Sequence, residues 1–553
     1  MPNLEVSKKD LELLLGKKFS SREDLEEVLE YVKGEVESLE GDALKIDCKE
    51  TNRPDLWSAE GIVRDLKARM GGERGIKEYK VQRSKVDVFV HENLERVRPL
   101  IACAIVKDVT ITDDFIKQMV QLQEKVGENY GRKRKELGVG LYDFDIMKPP
   151  VYYKGFKDNE IEFIPLEWKV PMRPSEILSQ HEKGKQYRHL LEGKTHFPIV
   201  IDSNKMVASM PPIINSQTTG KVTEKTHNLF IEVTGFKWET VETALEVICM
   251  ALADRGGKIF SCRTHFPSAK KPYPARTIYT PLFATEKMSF DKEIVNRKTG
   301  LGLKDKEIID LLERARYNAV IKGSKITVEF PTYRTDILQA VDVIEDLLIS
   351  YGFNNIAPQK IEMNVVGSEL KEAKYNDFVR EGAVGLALQE VMTFNLSSKL
   401  VQGVNMQFAN DSFVEIANPV STNYEILRKR LSPQLLDFFS KNKGQSFPQR
   451  IFEIGTCLAL DDKAEQGVRQ STNVCVALTH SNVNFTEAKS FLTSLCKYMG
   501  ADLQVKKKAF PFLGENSAEI IVNGKKGFLG EVKPEVIEAF GLRKPVALFE
   551  FEL

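Results

Sequence analysis

Apolar residues recur along the chain with two periods, and the switches between them mark out its elements. Leu25, Val28, Leu29, Val32 and Val36 repeat at helical spacing behind Ser21, which with Asp24 has the form of a helix cap. Leu44 to Cys48 reads as a short strand. Strand-like runs follow at 86–90, 101–106, 197–201 and 229–233, and apolar helix faces at 115–126 and 241–252. A helix over 304–316 precedes the alternating run Lys325-Ile-Thr-Val-Glu-Phe330. Pro331 ends that strand, and a further helix starts after Asp336. Beyond Ala357-Pro358, strand patterns at 413–416, 450–454, 472–478, 519–522 and 546–552 predict an antiparallel sheet.

These elements group into an α+β multidomain chain. Residues 1–80 read as a mixed α/β module, 85–268 as an α+β domain, 274–357 as a small helix-rich module and 360–553 as an antiparallel-sheet domain. The segment Ser268-Ala-Lys-Lys-Pro-Tyr-Pro-Ala-Arg276, rich in Pro and Lys, is expected to be a linker.

Composition narrows the function classes. The chain has 553 residues, 42% of them hydrophobic and 29% charged, enough apolar material for several cores. Lys+Arg and Asp+Glu are both 79, so nucleic acid can be met only through local patches. No apolar run of 18 residues occurs, so no membrane helix is expected, and the opening MPNLEVSKKD has no secretory apolar core. The seven cysteines form no C-x-x-C pair, which argues against a disulfide framework and a structural zinc, and for a cytosolic protein. There is no phosphate-binding G-x-x-x-x-G-K-[ST], no H-x-x-x-H and no grouping with an evident nucleophile.

Two constellations could carry chemistry. In Arg334-Thr-Asp-Ile-Leu-Gln-Ala-Val-Asp-Val-Ile-Glu-Asp346, the spacing of Asp342, Glu345 and Asp346 puts three carboxylates on one helix face, with Asp336 at the helix start. Such oxygens suit a hard cation such as Mg²⁺; they equally suit a solvated face or a basic partner. The second pairs Ser209-Met-Pro-Pro-Ile-Ile-Asn-Ser-Gln217 with Leu229-Phe-Ile-Glu-Val-Thr-Gly235. By alternation Glu232 shares a strand face with Phe230 and Thr234, and Ser209 and Asn215 flank the prolines, a set able to recognise a polar substrate group. An ordinary loop beside a wet strand face is the other reading. The basic run Gly131-Arg-Lys-Arg-Lys135 suits phosphate or open solvent.

Taken in order, Thr51-Asn-Arg-Pro-Asp-Leu-Trp-Ser-Ala-Glu-Gly61, His181-Glu-Lys-Gly-Lys-Gln-Tyr187, Met210-Pro-Pro-Ile-Ile-Asn-Ser216, the acidic segment 334–346 and Ile451-Phe-Glu-Ile-Gly455 resemble the beta subunits of phenylalanyl-tRNA synthetases of the archaeal and eukaryotic type. The resemblance spans nearly the whole chain. It implies an (αβ)₂ heterotetramer whose alpha subunit activates phenylalanine with ATP and Mg²⁺ and loads tRNA(Phe). It implies that residues 85–268 are an editing domain that hydrolyses Tyr-tRNA(Phe), with Ser209, Asn215, Glu232 and Thr234 as its site. A non-catalytic tRNA-binding scaffold is the alternative. It assigns Asp336, Asp342, Glu345 and Asp346 to Mg²⁺ in a winged-helix-like module over 274–357, although the family often has Glu at the position of Asp346. Residues 360–553 then resemble a class II synthetase domain without an active site. Ile451 stands where a catalytic arginine would precede Glu453, and the tail after Gly541 lacks the glycine-rich, arginine-ending motif.

Overall fold

The computed structural model describes residues 3–361, 363, 365–408 and 410–553. They form two compact units, Met1–Gln359 and Lys360–Leu553.

The first unit holds three sheets. Asn3–Ser7, Ala43–Cys48 and Gly34–Glu40 make an antiparallel three-stranded sheet. Ser21 caps the helix Arg22–Leu29 by accepting from the Asp24 N–H, as its sequence suggests. That helix is shorter than the apolar repeat, however. Lys33 turns through a left-handed conformation (φ 51°), and Val36 falls in the next strand.

The largest sheet has ten strands. Its order is Ile214–Asn215, Val207–Met210, Phe197–Ile201, Val151–Phe156, Val81–Val90, Lys258–His265, Leu100–Lys107, Leu229–Gly235 and Leu137–Asp143, with Thr277–Thr280 added to Lys258–His265. The helix Trp238–Ala253, apolar almost all round, packs on Leu100–Lys107 and Leu229–Gly235 and is almost wholly buried. This sheet and the N-terminal elements share one continuous core. Residues 268–276 are not a linker between domains. They close the antiparallel hairpin between Lys258–His265 and Thr277–Thr280, with Tyr273 buried.

Thr285–Asp291, Lys325–Pro331 and Asn318–Lys322 form the third sheet, packed by the helices Lys292–Thr299, Asp305–Arg314 and Ala340–Tyr351 around a core of its own.

The second unit is built on a seven-stranded sheet in the order Gln389–Glu390, Gln449–Leu460, Val468–Thr479, Val546–Glu552, Lys525–Val532, Leu513–Val522 and Leu503–Lys507. Only the first pair is parallel. Alternation along the strands feeds two cores. Phe452, Val474 and Phe549 face Lys371–Gly385 and Phe485–Met499; Ile451, Cys475 and Leu548 face Ser432–Lys441 and Pro534–Ala539. The strand expected at 413–416 is absent; Glu415 makes an isolated bridge to Ile426.

Candidate functional site

Strand register builds the site. Leu229–Gly235 lies between Leu100–Lys107 and Leu137–Asp143, opposing Phe230 to Tyr142, Glu232 to Gly140 and Thr234 to Gly138. The expected shared face of Phe230, Glu232 and Thr234 is therefore present. The two glycines make room above it. A Cβ on Gly140 would stand 2.0 Å from the Tyr142 hydroxyl and 2.7 Å from Glu232 Oε1, and one on Gly138 would stand 2.7 Å from Pro212 Cβ.

Into that space Tyr142 places its hydroxyl 2.8 Å from Glu232 Oε1 and 2.7 Å from Ser209 Oγ. A phenol has one proton. With that proton on the carboxylate, the Ser209 hydroxyl has its own proton to share between the phenolic oxygen and Glu232 Oε1, which lies 3.5 Å from it. Glu232 is 2% exposed, and its Oε2 has no hydrogen-bond partner among the described residues. Burial pushes its pKa up to about 7, against the hydrogen bond from Tyr142, the charge of Arg98 and the hydroxyl of Ser209.

Ser209, Asn215 and Glu232 line one cleft of about 280 Å³, with Pro212, Arg134 and His181 in its walls. Asn215 Nδ2 donates to the Leu141 carbonyl at 3.3 Å. Thr234 is brought beside this group but not into the cleft. It is fully buried, and its hydroxyl and carbonyl accept from Arg98 at 2.9 and 2.8 Å. Thr234 thus holds Arg98, whose charge favours the ionised form of Glu232.

His181 is not a free base. Its Nδ1 accepts the Lys183 N–H at 3.2 Å, so the ring proton resides on Nε2, which donates to the Leu166 carbonyl at 3.2 Å. The basic run also acquires a role. Arg132, Lys133 and Arg134 take successive left-handed conformations (φ 49°, 57° and 60°), a sparsely populated geometry for side-chain-bearing residues. This turns Arg134 inward, where it donates to the carbonyls of Pro212 and Ile213 at 3.2 and 3.1 Å and covers the Tyr187 ring; Arg132, Lys133 and Lys135 stay exposed. Tyr142, Arg98 and the paired glycines were missed from sequence. Their one signal is Gly-x-Gly inside an otherwise apolar run, Leu137-Gly-Val-Gly-Leu141.

The expected Mg²⁺ set is not gathered, and this corrects the reading of 334–346. Asp336 pairs with Arg334 through both oxygens at 2.9 and 2.7 Å. Asp342 Oδ2 caps its own helix, accepting from the N–H groups of Leu338 and Gln339 at 2.8 Å each. Glu345 points outward to Lys33 at 2.8 Å. Asp346 is buried between Arg69 and Arg334 and accepts from the Tyr317 hydroxyl at 2.7 Å. Burial pushes the Asp346 carboxyl up, but Arg334, Arg69 and Arg53 outweigh it and hold it well below the usual range. With Asp336 and Asp346 on guanidiniums, Asp342 on the N–H groups of its own helix and Glu345 turned to Lys33, the four carboxylates are each engaged separately, and as placed they do not fit a cation. Among the described residues no group of three or more His, Cys, Asp or Glu is arranged to hold a metal.

In the second unit Glu453 is likewise occupied. It is buried, accepts from Arg428 at 2.5 Å and from Thr393 Oγ1 at 2.7 Å, and Ile451 is packed into the core beneath.

Comparison with known proteins gives this arrangement its class. Residues 288–353 match the tRNA synthetase B5 domain, and 356–553 match the phenylalanyl tRNA synthetase beta chain CLM domain. Both belong to aminoacyl-tRNA synthetases, the ligases of protein biosynthesis. The phenylalanine–tRNA ligase beta subunits of Thermococcus sibiricus and Pyrococcus horikoshii are 42% and 41% identical to it, over all of this chain and 98% and 99% of theirs. That of Archaeoglobus fulgidus is 34% identical, over all of this chain and 98% of its own. The crystal structure of an N-terminal fragment of the P. horikoshii phenylalanyl-tRNA synthetase beta subunit covers 64% of this chain and 100% of its own, at 44% identity and a TM-score of 0.60. The chain belongs to the phenylalanine–tRNA ligase beta-subunit family. No helix among the described residues is long and apolar enough to cross a membrane.

Proposed function

We propose that the Glu232 cleft hydrolyses tRNA(Phe) mischarged with tyrosine, and that the chain does so as the beta subunit of a cytoplasmic (αβ)₂ phenylalanine–tRNA ligase. The observation that carries the reading is the unpartnered Oε2 of Glu232, a buried acceptor in a cleft that also holds Ser209 and Asn215. Tyrosine differs from phenylalanine by one hydroxyl, and an apolar synthetic pocket rejects an added hydroxyl only about 10²-fold. A second site with an unsatisfied acceptor selects for that hydroxyl. Phenylalanine in the same place leaves Oε2 unpaired, at a cost of about 1–3 kcal/mol.

The cleft offers no activated nucleophile: the Ser209 hydroxyl is committed to Tyr142, and His181 has no free lone pair. Water therefore attacks the ester carbonyl carbon. The bond to the ribose oxygen breaks, that oxygen takes up the proton, and free tyrosine and tRNA leave. Asn215 at the cleft wall orients the ester. Arg132, Lys133 and Lys135, exposed beside the inward-turned Arg134, suit the phosphates of the acceptor end.

Residues 1–80, 274–357 and 360–553 serve assembly in this reading. The last is a class II synthetase-like domain that pairs subunits, while the alpha subunit binds ATP with Mg²⁺ and joins phenylalanine to tRNA(Phe). In support, Ile361, Val365, Val366, Leu370, Met392 and Phe394 are 72–95% exposed, an apolar excess suited to a partner. The reading is tested by Tyr-tRNA(Phe) hydrolysis, with Phe-tRNA(Phe) as control and Asn215→Ala as comparison. Tyrosine-selective cleavage lost in the variant supports it; no cleavage, alone or with the alpha subunit, leaves the chain a scaffold.

A further inference from the structure

The second unit carries a cleft of about 380 Å³ that the editing reading does not use. Its walls are the end of the helix Ser432–Lys441 with the loop behind it, the first residue of Gln449–Leu460, the last of Val468–Thr479, and the turn leading into Val546–Glu552. Lys443, Arg543 and Lys544 line it, and no carboxylate does. In a chain whose charges balance at 79 to 79, three unmatched cations around one cavity are a local excess.

The three cations differ in how they are placed. Lys544 Nζ donates to Ser481 Oγ at 2.7 Å, a neutral partner that leaves its charge uncompensated. Lys443 places its Nζ against Gly541, where a Cβ would stand 3.1 Å from it; Gly541 has φ +62°. Arg543 is exposed on the rim and has no ion pair among the described residues. The nearby Lys441 is by contrast matched by Asp437 at 2.6 Å. Gln449 Nε2 donates to the carbonyls of Asn442 and Gln445 at 3.2 and 3.4 Å, which fixes the loop carrying Lys443 and Phe447.

The cleft also has an aromatic wall. Phe447 is 43% exposed, and Lys544 Nζ lies 5.8 Å from its ring centroid. A simple anion has no use for an exposed ring. A base stacks on one, and a cation groove with an interleaved aromatic is how proteins hold single nucleotides in a strand. We propose that this cleft binds a nucleotide, its phosphate between Lys443, Arg543 and Lys544 and its base against Phe447. The same chemistry is offered by a free mononucleotide and by one residue of an RNA strand.

The test is calorimetric titration of the full-length chain with AMP, adenosine, inorganic phosphate and a hexaribonucleotide. It compares the parent with the double variant Lys443→Glu/Arg543→Glu and with Phe447→Ala, circular dichroism reporting that all three are folded. AMP is expected to bind more tightly than phosphate or adenosine and to lose about tenfold or more in the double variant. Phe447→Ala removes the advantage of AMP over phosphate. A hexanucleotide that binds more tightly than AMP and is weakened by the same variants identifies the ligand as an RNA strand; one that binds no better identifies a mononucleotide. The proposal is overturned if neither AMP nor the hexanucleotide exceeds phosphate, or if the double variant binds them as the parent does.

Discussion

The hydroxyl of Tyr142 lies 2.8 Å from Glu232 Oε1 and leaves Oε2 with no partner among the described residues. One oxygen of a buried carboxylate is thus fixed by the protein's own phenol, and the other is left as a buried acceptor with no partner of its own. In the proposed editing reaction, a tyrosine of the chain holds the carboxylate that meets a tyrosine of the substrate.

Removing the Tyr142 hydroxyl frees Glu232 without changing the cleft's volume much. Tyr142→Phe is expected to lower the tyrosine-over-phenylalanine ratio in hydrolysis about tenfold, in line with about 1–2 kcal/mol for a lost buried hydrogen bond. Steady-state hydrolysis of the two charged tRNAs checks this.

Glu232 also makes stability depend on pH. Its carboxyl titrates near 7 when folded instead of near 4.5. The folded chain therefore binds this proton more tightly. Its contribution is fully present below about pH 4.5 and is lost as pH rises to about 7, a loss on the order of 3 kcal/mol by pH 8. Glu232→Gln should unfold at higher denaturant than the parent at pH 8 and lose that advantage at pH 5. Equal midpoints for the two proteins at pH 8 would contradict the assignment.

Asp346 acts in the opposite sense. Arg334 and Arg69 keep its carboxyl ionised far into the acid range, so its stabilisation is present above the unfolded pKa and fails as pH falls through the folded one. Asp346→Ala leaves two buried guanidiniums without this partner and is expected to cost about 3–5 kcal/mol. Chelation of divalent cations should leave the thermal midpoint of the parent unchanged. A midpoint that falls on chelation would restore the metal reading of the acidic helix.

Gly140→Ala drives a methyl group into the Tyr142–Glu232 contact. A destabilisation of about 1–3 kcal/mol is expected, together with loss of tyrosine-selective hydrolysis. Denaturant titration and the hydrolysis assay read the two effects separately.

Much of this was legible in sequence where alternation is strong. Glu232, Phe230 and Thr234 share a face as their spacing requires, and Ser209 and Asn215 come to the same cleft. The neighbouring strand was harder to read: Leu137, Val139 and Leu141 alternate, but the residues between them, Gly138 and Gly140, are of a type that strands usually avoid. Tyr142 was hidden with it. The acidic helix shows a different limit. Spacing identifies carboxylates that share a face but not what faces them, and Arg69 lies 277 residues from Asp346. Thr234 went astray for the same reason: its partner, Arg98, comes from a distant segment. The 268–276 segment has a linker's composition, yet it closes a hairpin whose pairing lies on either side of it.

Whether Glu232 reads the tyrosine hydroxyl is decided by kcat/KM for hydrolysis of Tyr-tRNA(Phe) and Phe-tRNA(Phe) by the parent and by Glu232→Ala. The parent is expected to favour the tyrosyl substrate and the variant to lose that preference, its Tyr-tRNA(Phe) rate falling and its Phe-tRNA(Phe) rate holding or rising as the unpaired carboxylate is removed. An unaltered rate and ratio in the variant would contradict that role of Glu232.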